Sequence, residues 1–136
     1  MTDRPADVFR RALDTLLSKD MAAFLDMYAE DAVMEYPFAP DGWPKRLEGH
    51  DEIWSHIHNY PDFLDLHEVR DLEILETTDP EVIVAQFVVE GVVTSTQQPY
   101  EVRYADIVRI RDGKVITWRD YWDPTLATSL VPTGLG

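Results

Sequence analysis

From Leu66 onward the chain is written in β-type sequence, in four long runs: Leu66 to Thr77, Val82 to Ser95, Tyr100 to Arg111 and Lys114 to Asp123. Asp79-Pro80, Gln97-Gln98-Pro99 and Asp112-Gly113 punctuate them, and the pattern predicts a curled antiparallel meander. The residues before Leu66 follow a different period. Ala6 to Ser18 puts Val8, Phe9, Ala12, Leu13, Leu16 and Leu17 on one helical stripe, and Asp20 opens a shorter helical pattern through Phe24, Leu25 and Tyr28. Asp31 to Tyr36 reads as a short strand ended by Pro37, and the loop Phe38 to Pro44, rich in proline and glycine, is expected to rim a pocket. After Gly49, Asp51 and Glu52 favour a third helix, with Ile53, Trp54, Ile57 and His58 at helical spacing until Pro61 stops it. Helices first and a bent sheet afterwards make an α+β domain.

With 136 residues the chain is expected to be a single domain with a sizeable core, spanning about residues 6–126. The tail, residues 127–136, is expected along the rim or against another subunit. There is no cysteine, so disulfides and thiolate metal sites are excluded. Met1 to Asp7 lacks the basic and apolar regions of a signal peptide, and no apolar run approaches bilayer length, which predicts a soluble cytoplasmic protein. Formal charge is −14, from 26 acidic and 12 basic residues. Such a field repels phosphate backbones and anionic lipid, so neither nucleic acid nor membrane is an expected partner.

The last two runs form a hairpin that carries two acids among aromatics. A three-residue loop, Arg111-Asp112-Gly113, is chosen because it gives clean faces. One face then holds Tyr104, Asp106, Val108, Ile110, Ile116, Trp118, Asp120 and Trp122; Ile107, Val115 and Tyr121 fall on the other. In this register Asp106 opposes Trp118 and Tyr104 opposes Asp120, leaving the aspartates on a diagonal roughly 7 Å apart. Two acids on an apolar face are the candidate catalytic residues. If both are buried, desolvation and mutual repulsion raise at least one pKa and leave a neutral acid beside a carboxylate, which suits enolisation or aldol chemistry.

Trp54, Tyr104, Trp118 and Trp122 are expected to line the cavity and suit a small apolar or aromatic ligand. Tyr36 reads either as a core tyrosine or as a donor towards a substrate carbonyl. His58, one turn from Trp54, is a candidate proton shuttle, the alternative being a solvated histidine. His56 and His58 point to different sides of a helix, so no metal site is expected. Phosphate loops, nucleophile elbows and dinucleotide motifs are absent, and any reaction should be cofactor-free.

Tyr28-Ala29-Glu30-Asp31-Ala32-Val33, Leu47-Glu48-Gly49-His50-Asp51-Glu52-Ile53 and the closing Trp118-Arg119-Asp120-Tyr121-Trp122-Asp123 resemble the SnoaL-like branch of the nuclear transport factor 2-like superfamily. The resemblance implies a cone-shaped α+β barrel, three N-terminal helices packed on a strongly curved, mostly antiparallel sheet, and a homodimer. It also implies a choice of reactions. Asp106 aligns with the protonated aspartic acid of the ketosteroid isomerase oxyanion hole. The isomerase base position falls at Tyr36, beside Glu35, and its helical tyrosine near Ala12. Asp120 aligns with an aspartate of limonene-type epoxide hydrolases, whose other polar positions fall near Phe87, Val89, Met34 and Tyr36. SnoaL-type polyketide cyclases, which use one carboxylic acid as general acid and base, require fewest matches. The leading expectation is cofactor-independent proton transfer on an apolar carbonyl-bearing or polycyclic substrate. The rivals are a non-catalytic ligand-binding module and epoxide hydrolase-like water addition.

Overall fold

A computed structural model describes residues 3–126; the tail, residues 127–136, lies outside the described residues. Helix α1 (Pro5–Leu17) starts on Pro5, whose missing N–H costs nothing in a first turn. It buries Val8, Phe9, Ala12 and Leu13, one stripe as the period required. Phe9 is fully buried against Phe87 and Trp118, a burial that contributes roughly 1.5–3 kcal/mol. Helix α2 (Met21–Asp26) is capped by the Asp20 carboxylate, which accepts the Ala23 N–H at 3.0 Å.

Strands β1 (Tyr28–Glu35) and β2 (Arg46–Glu48) form a hairpin around the proline-rich loop. Helix α3 (Gly49–Ile57) and the single turn α4 (Tyr60–Phe63) lead into β3 (Leu64–Glu76). Strands β4 (Val82–Val93), β5 (Pro99–Arg111) and β6 (Lys114–Tyr121) complete the chain's sheet. Two of these elements were not expected. β2 is too short to show alternation, and Pro61, read as a stop, instead sits in the first turn of α4, where proline fits.

The six strands lie in the order β2-β1-β6-β5-β4-β3, and every neighbouring pair is antiparallel except β1 with β6. The parallel pair closes the meander back onto the first strand. The helices pack on the concave face of this curled sheet, which is the cone-shaped α+β arrangement. Along β4 the inward positions Ile83, Ala85, Phe87, Val89, Gly91 and Val93 are all buried. Among the described residues no helix is long and apolar enough to cross a membrane.

Candidate functional site

The hairpin β5-β6 places both acids, by a different route from the expected one. Asp112 and Gly113 both have positive φ, 52° and 78°, which makes a two-residue turn with Arg111 paired to Lys114. The three-residue loop is therefore wrong. Ile110 pairs with Val115 but Arg109 pairs with Thr117, so Ile116 is an extra residue on β6. This bulge shifts the faces by one position and restores the expected set from Trp118 onward. Val115, expected outside, is fully buried. Asp106 now stands directly opposite Asp120 rather than on its diagonal, a pairing that brings Cβ atoms to about 4.5–5.5 Å.

A cavity of about 80 Å³ opens between the helices and the sheet. Asp106, Asp120, Tyr104 and Trp118 line it from β5 and β6, and Tyr36 from the end of β1. Phe87 and Val89 add apolar wall from β4, while His56, Ile57 and Tyr60 face them from α3 and α4. No lysine or arginine reaches it. Arg119, a possible partner for Asp120, instead lies 3.9 Å from Glu35.

Asp106 is 1% exposed, and neither carboxyl oxygen makes a hydrogen bond of good geometry. A proton resolves this. Burial raises the Asp106 pKa well above the carboxylate range, Asp120 raises it further, and the Trp118 indole and Tyr121 backbone oppose the shift. Burial also raises Asp120, but the hydrogen bond that a protonated Asp106 donates pulls it back down. Burial thus favours the neutral form of both carboxyls, like charges on opposed residues disfavour ionising both at once, and Asp106 is the one that holds its proton more tightly. Burial lifts the Tyr36 and Tyr104 hydroxyls above the usual phenol range and Tyr60 to about 12, so all three remain donors.

Other expected site residues lie elsewhere. Trp54 is 39% exposed and stacks loosely on His58 at 5.7 Å, and His58 donates to the Trp54 carbonyl at 2.9 Å. Both are one position off the inward stripe of α3, which runs through Ile53, His56 and Ile57 towards Tyr60. His56 is the histidine that sequence reasoning missed; Tyr60, at i+4 from it, was the available signal. Trp122 is buried against Trp43 at 5.9 Å and does not line the cavity, nor does any residue of the loop Phe38 to Pro44. Among the described residues no three His, Asp or Glu side chains converge as metal ligands would.

The buried acid has a measurable consequence for stability. Folding raises the Asp106 pKa, so the folded state binds this proton more tightly than the unfolded chain does. Stability from this group is complete below the ordinary carboxylate pKa and is lost as pH rises towards the folded value. Asp106→Asn keeps a donor for Asp120 and cannot ionise. Its melting temperature should match wild type near pH 4 and exceed it at pH 8 by several degrees, for about 1–2 kcal/mol. Calorimetric scans across that range check the expected divergence, and parallel curves would refute it.

Residues 9–118 match the SnoaL-like domain family. The uncharacterized protein YesE of Bacillus subtilis is 33% identical over 122 residues, spanning 90% of this chain and 83% of that protein. An uncharacterized PhzA/B-like protein of Pseudomonas aeruginosa is 31% identical over 118 residues, or 87% of this chain and 83% of that one. Among solved structures, a Bacillus subtilis protein with a proposed isomerase designation superposes with a TM-score of 0.90 at 31% identity, covering 96% of this chain and 95% of its own. A match running from α1 into β6 takes in every cavity-lining residue except Asp120, and the chain belongs to the SnoaL-like domain family.

Proposed function

We propose that the protein is a cofactor-independent enzyme that moves a proton within a small, apolar, carbonyl-bearing molecule, as isomerases and aldol-type cyclases do. The observation that carries this reading is the opposed pair: buried Asp106 facing half-buried Asp120 across the hairpin, on the wall of an apolar cavity. Asp120, the carboxylate of the pair, accepts a proton from the carbon beside the carbonyl. Asp106 stays protonated and bonded to it. Burial strengthens Asp120 as a base by raising its pKa towards the working pH. Returning the proton to a second carbon completes an isomerisation, and attack of the enolate on a second carbonyl completes an aldol closure.

Water addition to an epoxide is less well supported. The positions where that chemistry keeps its further polar groups are Met34, Tyr36, Phe87 and Val89, and all four line this cavity. Three of them are apolar, so only Tyr36 is left to help orient a water. The isomerase designation of the Bacillus subtilis structure agrees with proton transfer in class.

Deuterium uptake from heavy water into cyclohexanone, acetophenone and β-tetralone, followed by proton NMR, tests the reading. Enzyme-dependent loss of the signal beside the carbonyl is expected. Saturable binding of these ketones without any exchange would replace the enzyme with a non-catalytic carrier.

A further inference from the structure

Drawing a proton from carbon places negative charge on the carbonyl oxygen, and a positioned donor there is worth a large share of the rate. The carboxyl pair does not supply this donor directly. Asp106 stands opposite Asp120, and its proton is used on that neighbour. The Tyr36 hydroxyl is directed at the Met34 sulfur, 3.6 Å away. On the helical side the cavity offers two donors: the Tyr60 hydroxyl of α4, already taken up with the hydroxyls of Tyr104 and Tyr100, and the His56 ring of α3.

We infer that His56 is a further catalytic residue, the hydrogen-bond donor that meets the developing oxyanion from the helical wall. The inference rests on the proton transfer proposed above and names its second pole. Three of the four histidines are already engaged: His50 with the Tyr28 carbonyl at 2.9 Å, His58 with the Trp54 carbonyl at 2.9 Å, and His67 with Asp65 at 3.1 Å. The His56 ring makes no hydrogen bond among the described residues, and it is the histidine that lines the cavity. Its ring packs on Tyr36 with centroids 5.3 Å apart. Buried Ile53 and Ile57, three residues before it and one after, anchor α3 and fix the direction of the imidazole. Helix and sheet thus present a free ring nitrogen and a carboxyl pair from opposite sides of one space.

The titratable groups that share the cavity with His56 are Tyr36, Tyr60, Tyr104, Asp106 and Asp120. Burial lowers its pKa, so the ring is neutral at pH 7. A neutral imidazole can polarise a carbonyl by donating one N–H without surrendering the proton. In the proposed step Asp120 takes the proton from carbon and the C–H electron pair becomes the enolate double bond. The carbonyl π pair moves to oxygen, where the His56 N–H receives it as a hydrogen bond. The proton on Asp120 then returns to carbon, and nothing is consumed.

His56→Leu and His56→Gln separate this role from packing and from proton transfer by the ring. The readouts are deuterium exchange into β-tetralone and the infrared carbonyl stretch of the bound ketone. Leucine should lower kcat for exchange about 100-fold and move the stretch back towards its value in solution. Glutamine, which keeps an N–H donor, should stay within about tenfold of wild type and hold the shifted stretch. If leucine lowers the melting temperature, His56→Met takes its place at similar volume. Wild-type rate and stretch in the leucine variant, or glutamine as impaired as leucine, overturns the inference. An intact leucine variant beside an inactive Asp120→Asn removes His56 alone. Absence of exchange by wild type removes the reading beneath it as well.

Discussion

Replacing Asp120 with asparagine should lower turnover of an exchangeable ketone by about 10²–10⁴-fold while leaving ketone binding nearly unchanged. Asparagine fills the same volume and still meets Asp106, but it cannot accept a proton from carbon. The loss therefore belongs in kcat. Asp106→Asn should lose less, because the amide still donates to Asp120, and it should change the pH profile more. In wild type the acid limb should report protonation of Asp120 and should lie above the ordinary carboxylate range, because burial raises that pKa. The alkaline limb reports ionisation of Asp106, which places two negative charges on directly opposed residues. Removing the Asp106 proton site should abolish the alkaline limb and move the acid limb upward, since an amide is a weaker donor than a carboxylic acid. An Asp120→Asn enzyme retaining more than about a third of wild-type kcat, far outside the expected loss, would end the case for the pair as the catalytic machinery.

The pair was legible in the sequence as two acids on an apolar face, and its geometry was not. Alternation along β5 and β6 correctly separated Asp106, Trp118 and Asp120 from Ile107 and Arg119. The register failed because alternation constrains which face a residue takes and is blind to an extra residue that changes the face midway. Asp112-Gly113 favoured the two-residue turn on local grounds, and the unpaired Ile116 reconciles that turn with the downstream faces. A three-residue loop achieves the same face pattern with no bulge, so the sequence alone does not separate them. The difference decides the chemistry. A diagonal pair interacts weakly, whereas an opposed pair shares a proton.

Helix α3 shows the converse problem. Ile53 and Ile57 were placed inward, but a pair at i and i+4 leaves open which flank accompanies it. Trp54 and His58 were read at helical spacing with them, on one flank, whereas His56 and Tyr60 lie on the other. The structure selects the second flank, since α4 turns Tyr60 into the cavity and leaves Trp54 on solvent. Hydrophobicity ranked the wrong aromatic because the turn of α4, not the apolar area of the ring, decides which one faces the cavity. A large indole tolerates the surface when part of it packs on a neighbouring ring.

Gly91→Ala should be the most destabilising single-methyl change in the sheet. A Cβ at Gly91 would stand 2.0 Å from the Asp65 carbonyl oxygen, 2.9 Å from its carbon and 3.0 Å from Cε1 of Tyr100. Two of these three contacts are backbone, so no rotamer change relieves them. Gly91 pairs with Leu66 on one side and Tyr100 on the other, and the β3-β4 register breaks between Leu66 and Glu68. The missing side chain lets β3 press onto β4 where the sheet curls, and Leu66 reaches the cavity from the same turn of the sheet. Adding a methyl forces the strands apart at the point that sets the curvature. Overpacking costs about 1–3 kcal/mol, with the upper end expected where backbone must move, and the melting temperature should fall on the order of 10 °C. A glycine inside a valine-rich run was visible in the sequence, but which carbonyl it admits depends on a register that only the folded sheet defines. Because the displaced strand carries Leu66, KM for β-tetralone should rise in the same variant while kcat, set by the hairpin of β5 and β6, changes less. A melting temperature within about 2 °C of wild type, less than about 1 kcal/mol, would show that the strands slide freely and that Gly91 does not fix the bend.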